Sequence, residues 1–348
     1  MRIAAALLCV LLLPLPGAAQ HWMTRERCTV TDIRIDPDVL APGTLQRLRA
    51  TAATVPNGVG KYWRITAPGG AVSHLWGTWH SNDPLMLDLP ARVVAQVRAA
   101  RVAAFEIDPV LPTRRAVENA ASPRDRWVLR GGTLTAMDLP PDIERWINAR
   151  LIGLGWGDDS ADFMMPGALV ELLLGDPCND FAMGTYPNQD SYLQTIAAIS
   201  GAQIMALEEL TALRQKLNRR QHRALARDAL MLYGSTLSPD GTAAERATAF
   251  AIYQSGEHAL ARAWEREALT AFWDAKEAAR IQQNVDAYML DERNAVFVDA
   301  LLPELPRGDV FIAVGAWHLQ GPLGMVARLR EAGFQVTRIP LDQERPGP

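Results

Sequence analysis

His74-Leu75-Trp76-Gly77-Thr78-Trp79-His80 and Ile312-Ala313-Val314-Gly315-Ala316-Trp317-His318 lie near opposite ends of the chain and repeat one pattern, a strand-like run that ends in Gly-x-Trp-His. Residues just past the carboxyl ends of parallel strands line the ligand crevice of an open α/β sheet, and glycine there lets backbone and ligand come close. The repeat therefore predicts two strands that deliver His80 and His318 to one cleft. Outward from the first copy, residues 61–67 and 71–77 alternate around Pro68-Gly69-Gly70 and read as a hairpin. Residues 89–100 have helical period and 101–107 form a short apolar strand. From about 113 to 305 the period is helical, broken at Pro140-Pro141, Pro166 and Pro177, with 203–207 as one further strand. Residues 309–315 then form a strand, 322–332 an amphipathic helix closed by Gly333, and 334–339 a last strand. The predicted class is α/β (α+β): a central mixed sheet formed by both ends of the chain, with a large helical insertion between the two Gly-x-x-His strands.

The other two internal strands also end in acids. Val102-Ala103-Ala104-Phe105 runs into Glu106-Ile107-Asp108, and Ile204-Met205-Ala206-Leu207 into Glu208-Glu209. An ionisable group at the tip of an apolar strand is costly unless it is paired or used, so four such tips mark a candidate site of His80, Glu106, Glu208 and His318. Each has an ordinary reading. A single histidine at a strand end is commonly a hydrogen-bonded structural group, and a carboxylate at a helix N-terminus is favoured by the dipole. Asp108 shares the face of Glu106 if that strand continues and is an alternative acid. His21, His74 and His222 read as bland, and the basic run 219–223 as a solvated helix face.

Composition narrows the classes. In 348 residues, 49% are apolar and 21% charged, and 35 Lys and Arg face 39 Asp and Glu for a net charge of −4. This is globular composition with no call for a polyanion, so nucleic acid is excluded as the expected partner. Residues 1–19 read as a secretory signal peptide cut after Ala19, which makes the protein periplasmic or secreted, with 20–348 a single domain. No later stretch has the length and apolarity of a transmembrane span. Cys9 leaves with the leader, and Cys28 and Cys178 are expected either as a disulfide in an oxidising compartment or as two separate buried thiols. Tyr233, Tyr253, Trp264, Phe272 and Trp273 in the helical region suit a core, a cleft roof or a dimer face.

The segments LWGTWHSND (75–83), FEID (105–108), 190–193 with Leu207-Glu208-Glu209, Arg293-Asn294, and VGAWHLQGPLGMVARLREAGFQVTRI (314–339) resemble the TraB/GumN family. That family is related to the TIKI metalloproteases and, more distantly, to erythromycin esterase and ChaN-like proteins. The resemblance spans about 60–341. It implies that the Gly-x-x-His histidines His80 and His318 and the acid Glu106 form a metal-dependent hydrolytic site, and that Arg293 and Asn294 bind ligand or support the site. Trp79, Trp317, Ser81 and Asn82 depart from the family's usual residues, and the two tryptophans are expected to narrow or line the cleft.

Two imidazoles and a carboxylate make an open ligand set for a divalent ion, Zn, Mn or Co, that acidifies water and polarises a carbonyl, with Glu208 or Asp108 moving protons. A metal-free arrangement also works chemically: one His as general base, Glu106 fixing its tautomer, and the second His or Arg293 stabilising an oxyanion. His-Glu-x-x-His, Gly-x-Ser-x-Gly and nucleotide loops are missing from the sequence. The leading reading is an exported hydrolase of peptide or related amide or ester bonds acting on a peptide or other small envelope substrate. The alternatives are a non-catalytic ligand-binding or envelope polysaccharide-related protein using the same cleft, and a structural factor.

Overall fold

A computed structural model describes residues 26–108, 134–158, 160–181 and 187–344. The leader expected at 1–19 and the first part of the helical insertion lie outside the described residues. The six predicted strands form: β1 (Tyr62–Thr66), β2 (Val72–Thr78), β3 (Val102–Phe105), β4 (Gln203–Ala206), β5 (Val310–Gly315) and β6 (Gln335–Arg338). They make one mixed sheet in the order β4-β3-β5-β2-β1-β6. β1 is antiparallel to β2 and β6, while β2, β5, β3 and β4 run parallel. β5, from the far end of the chain, thus lies between β2 and β3, and every residue of it is buried. A central parallel strand covered on both faces needs such a continuous apolar run.

The longer helices are α1 (Thr44–Ala52), α2 (Ala91–Ala99), α3 (Pro141–Gly153), α4 (Pro166–Leu174), α5 (Gln189–Ile199), α6 (Arg223–Ser235), α7 (Ala243–Gln254), α8 (His258–Leu269), α9 (Ala275–Asp286), α10 (Arg293–Leu301) and α11 (Met325–Glu331). One sheet face packs Trp76, Ala103, Phe105 and Phe311 against Val93 and Val97 of α2 and Leu193 and Ala197 of α5. The other packs Leu75, Ala104, Ile312 and Val314 against Phe297 and Leu301 of α10 and Val326 and Leu329 of α11. The period of two in the strands and about 3.6 in the helices sets this division into three layers. A separate helical core joins α3, α4, α6 and α9 through Ile143, Ile147, Leu169, Leu230 and Ile281. Tyr233 and Tyr253 are buried, and Phe272 and Trp273 pack on the helical core, so these aromatics are structural filling. No helix among the described residues is long and apolar enough to cross a membrane.

Cys28 and Cys178 form a disulfide with their Cα atoms 5.4 Å apart, which removes the alternative of separate thiols. The bridge anchors the segment that holds the loop after β2. Asn179 Nδ2 donates to the His80 carbonyl (3.0 Å), and its Oδ1 accepts from the Asn82 amide (3.0 Å). Asp176 beside it takes a 2.7 Å bond from Arg246, whose other arm reaches Asp83.

Candidate functional site

The four parallel strands release His80, Glu106, Glu208 and His318 at the same end of the sheet, as the sequence predicts. Glu106 is central. Its Oε1 lies 3.6 Å from His318 Nε2 and 4.0 Å from His80 Nε2 and accepts the Gly315 amide at 2.7 Å, while its Oε2 accepts Arg293 Nη2 at 2.7 Å. Both glycines of the repeated motif are required by this crowding. A Cβ on Gly315 would stand 3.2 Å from Glu106 Oε1 and 3.3 Å from His80 Nε2, and one on Gly77 would stand 2.7 Å from Leu319 Cδ1 and 3.0 Å from Ala316 Cα.

Each imidazole is fixed through its other nitrogen. His80 Nδ1 donates to Asp190 Oδ2 (2.7 Å), and Asp190 Oδ1 in turn accepts the Thr78 hydroxyl (2.5 Å). His318 Nδ1 donates to Asn294 Oδ1 (2.7 Å), because the Asn294 amide nitrogen is committed to the Leu323 carbonyl (3.1 Å). Both Nε2 atoms are thereby turned toward Glu106. Acceptors behind a pair of histidines are the usual support of imidazoles that bind an ion or move a proton.

A break in helix geometry positions Arg293 and Asn294. Between α9 and α10 the residues Ala287–Glu292 are π-helical, and the Met289 carbonyl freed there accepts Arg293 Nη1 at 3.2 Å. Such wide turns are uncommon and recur at functional sites. The Arg293 guanidinium is buried between two acids, donating from Nε to Glu208 Oε1 at 2.8 Å and from Nη2 to both Glu208 and Glu106. Its Nη1 also lies 3.4 Å from His318 Nε2.

These contacts separate the charge states. Burial opposes ionisation of Glu106, but the Arg293 guanidinium, His80 and the Gly315 amide outweigh it and hold the carboxyl well below the usual carboxylate range. For Glu208 burial prevails over Arg293 and raises the pKa, with Glu106 adding to the shift. Burial disfavours the His80 imidazolium, yet Asp190 and then Glu106 raise its pKa to about 9, and 40% of its side chain is exposed. His318, 4% exposed, is lowered by burial to about 3 and stays neutral. Like residues in unlike surroundings are thus pushed in opposite directions, His80 up and His318 down, Glu106 down and Glu208 up.

The order of the two histidines, the acid between them, the Arg-Asn pair on a late helix and the sheet that gathers them now stand together. The family model described as TraB/PrgY/gumN matches residues 62–338. The chain belongs to the TraB/PrgY/gumN family. Comparison with curated proteins gives no match, and neither does comparison with solved structures. The family's paired motif corresponds here to the two close approaches at Gly77 and Gly315.

Asp108 Oδ1 accepts the Gln194 side-chain amide on α5, and the residue lines one cleft with Glu208 and Arg293. Trp79 packs edge-on to Phe250 and Tyr253, and Trp317 lies under Arg262 against the helical core. Asp190, the partner of His80, and Gln189, whose Oε1 takes the Trp79 amide at 3.2 Å, were not recognised as site residues. His258, buried beside Tyr253 on α8, also went unremarked.

Proposed function

We propose that this TraB/PrgY/gumN member is an exported hydrolase that cleaves a peptide or related amide or ester bond with water activated at the His80, Glu106 and His318 site. The observation that carries this reading is the pair of Nε2 atoms, each with its tautomer fixed from behind, turned toward one oxygen of a charged glutamate. Export agrees with the Cys28–Cys178 disulfide, which persists in oxidising compartments.

The donor set fits a divalent ion in kind: two imidazole Nε2 atoms and a carboxylate, with a hydrogen-bonded outer partner for each imidazole. In spacing it is open, and among the described residues no group of three His, Cys, Asp or Glu is arranged to hold an ion as it stands. His80, His318 and Glu106 would hold Zn, Mn or Co, and the ion would supply Lewis acidity toward the scissile carbonyl. The chain's own groups act as follows. Glu106, held charged, accepts a proton from water. Where an ion is held, His80 and His318 both present the Nε2 lone pair, with Nδ1 fixed by Asp190 and Asn294; in the metal-free arrangement His80, protonated with Asp190 behind it, hands a proton to the leaving atom. Arg293 keeps Glu106 oriented while Glu208 holds the guanidinium from its other side.

The test is elemental analysis of the untagged mature protein together with cleavage of a peptide mixture, for the native chain, His80→Ala and Glu106→Ala. The expected result is about one equivalent of transition metal and measurable cleavage in the native protein, with both lost in the two folded variants. Cleavage that persists in folded Glu106→Ala, or a native protein that cleaves no amide or ester, overturns the reading.

A further inference from the structure

β4 is an edge of the sheet: its register with β3 runs from Val102 against Gln203 to Phe105 against Ala206, and no strand lies beyond it among the described residues. The Gln203 amide donates to the Arg101 carbonyl (3.0 Å) and the Leu207 amide to the Phe105 carbonyl (2.8 Å). Backbone groups of a strand alternate sides, so Gln203, Met205 and Leu207 spend theirs on β3, and the N–H and C=O groups of Ile204 and Ala206 point outward. Ile204 and Ala206 line a cleft of about 750 Å³, whose lining also includes Lys216, Tyr288 and Val296. Its volume is that of a ligand site.

The cleft leads to the reacting groups. Glu208, at the end of β4, and Arg293 belong to its lining, and Arg293 carries Glu106 on its other arm. Of its three cations, Lys216 and Arg293 are answered from within, while Arg219 is exposed. Lys216 Nζ is held by Glu292 at 2.7 Å and lies 4.6 Å from the centre of the Tyr288 ring, and Arg293 is shared by the two glutamates. Along β4 the groups open to a ligand are those of the strand's own backbone. Two residues that each present a donor and an acceptor, about 6.7 Å apart along a strand, repeat the spacing of another extended polypeptide backbone. A saccharide has no such repeat.

We propose that an extended peptide segment docks in this cleft by adding a strand to the open edge of β4, its backbone amides and carbonyls paired with those of Ile204 and Ala206. This deepens the hydrolase reading, on which it rests for its role as the substrate-binding arm. Strand addition takes affinity from main-chain bonds and tolerates varied side chains.

Fluorescence anisotropy tests it on the full chain carrying Glu106→Gln, which blocks turnover, with a fluorescein-labelled library of random octapeptides and the same library N-methylated at alternate amides. The expected result is binding of the first library and at least tenfold weaker binding of the second. Ile204→Pro removes only an outward donor from an edge strand, where proline is tolerated, and should weaken binding at least tenfold, whereas Ile204→Val should not. Absence of binding, equal binding of both libraries, or undiminished binding by folded Ile204→Pro overturns the proposal. If Ile204→Pro does not fold, hydrogen exchange on the unsubstituted chain decides. Slowing at Ile204 and Ala206 on adding the first library supports strand addition, and unchanged exchange overturns it. Cleavage of the unlabelled library by the unsubstituted chain is scored separately. Docking without cleavage removes the hydrolase and keeps strand addition, and cleavage without slowed exchange does the reverse.

Discussion

Replacing Cys28 and Cys178 together by serine should be the most destabilising conservative change in the protein. The bridge closes a loop with a sequence separation of 150 residues. Loop-closure entropy grows with the logarithm of loop length, and for this separation it amounts to about 5 kcal/mol lost from the unfolded chain at 25 °C. With a urea dependence of about 3 kcal/mol per molar, the unfolding midpoint should fall by about 1.5 M. The measurement is urea unfolding by far-UV circular dichroism for the oxidised native chain, the native chain in excess reductant, and the double variant. The two thiol-free or reduced samples should coincide, both well below the oxidised one. A second readout is local: Asn179 beside the bridge holds the His80 carbonyl and the Asn82 amide, so exchange of the Asn82 amide should speed up in the double variant well below the global midpoint. Midpoints for all three samples within about 0.3 M of one another would refute the loop-closure reasoning, and unchanged exchange at Asn82 would refute the coupling to His80.

Gly315→Ala should leave the fold intact, since Gly315 has ordinary extended angles, yet push Glu106 or His80 aside by a few tenths of an ångström. Peptide cleavage should fall at least about tenfold while the melting temperature barely moves, and full activity would contradict the crowding argument. Asp190→Asn keeps the shape of the partner and removes its charge, so the His80 pKa should drop from about 9 toward its ordinary value, read by NMR titration of the imidazole. Because that pKa is raised in the folded state, the pair stabilises fully below about pH 6.5 and the effect is lost as pH rises through about 9; Asp190→Asn should flatten the stability profile there. His258 titrates the other way, its pKa pressed down to about 3 by burial and by Lys61. The unfolded chain takes up its proton first, so stability should fall by up to about 1.4 kcal/mol per pH unit below pH 6.5, and His258→Gln should reduce that slope in acid urea titrations.

The sheet was readable because its strands are short apolar runs closed by glycine, proline or an ionisable residue, and the parallel ones end in the groups they deliver. Glu106 and the two histidines were legible for that reason. Asp190 was not, because a carboxylate in the first turn of a helix suits the dipole without any partner, and only the folded chain sets it against His80 from 110 residues away. The linkage of Glu106 to Glu208 through Arg293 was equally hidden. It depends on the π-helical turn at Ala287–Glu292, which shifts the helix face by one residue and leaves no mark on a 3.6-residue period. His258 sits on an amphipathic helix among ordinary neighbours, where a buried neutral imidazole has the same pattern as a surface one. β3 stops at Phe105, so the alternation that would have aligned Asp108 with Glu106 does not continue, and Asp108 lines the cleft that holds Glu208 and Arg293.

The place of β5 in the sheet also sets a timetable. β2 and β3 are made early but do not touch as neighbours; each pairs with β5, which is synthesised nearly last. A growing polypeptide can collapse its helical layer while its eventual reaction centre is still two unconnected halves, with Glu106 and His80 on strands that have no common partner. Contacts between distant parts of a chain form slowly, and here they are the ones that bring the reactive groups together. A site wired this way carries its own delay: its histidines and glutamate are not gathered until residues 310–315 have slotted in.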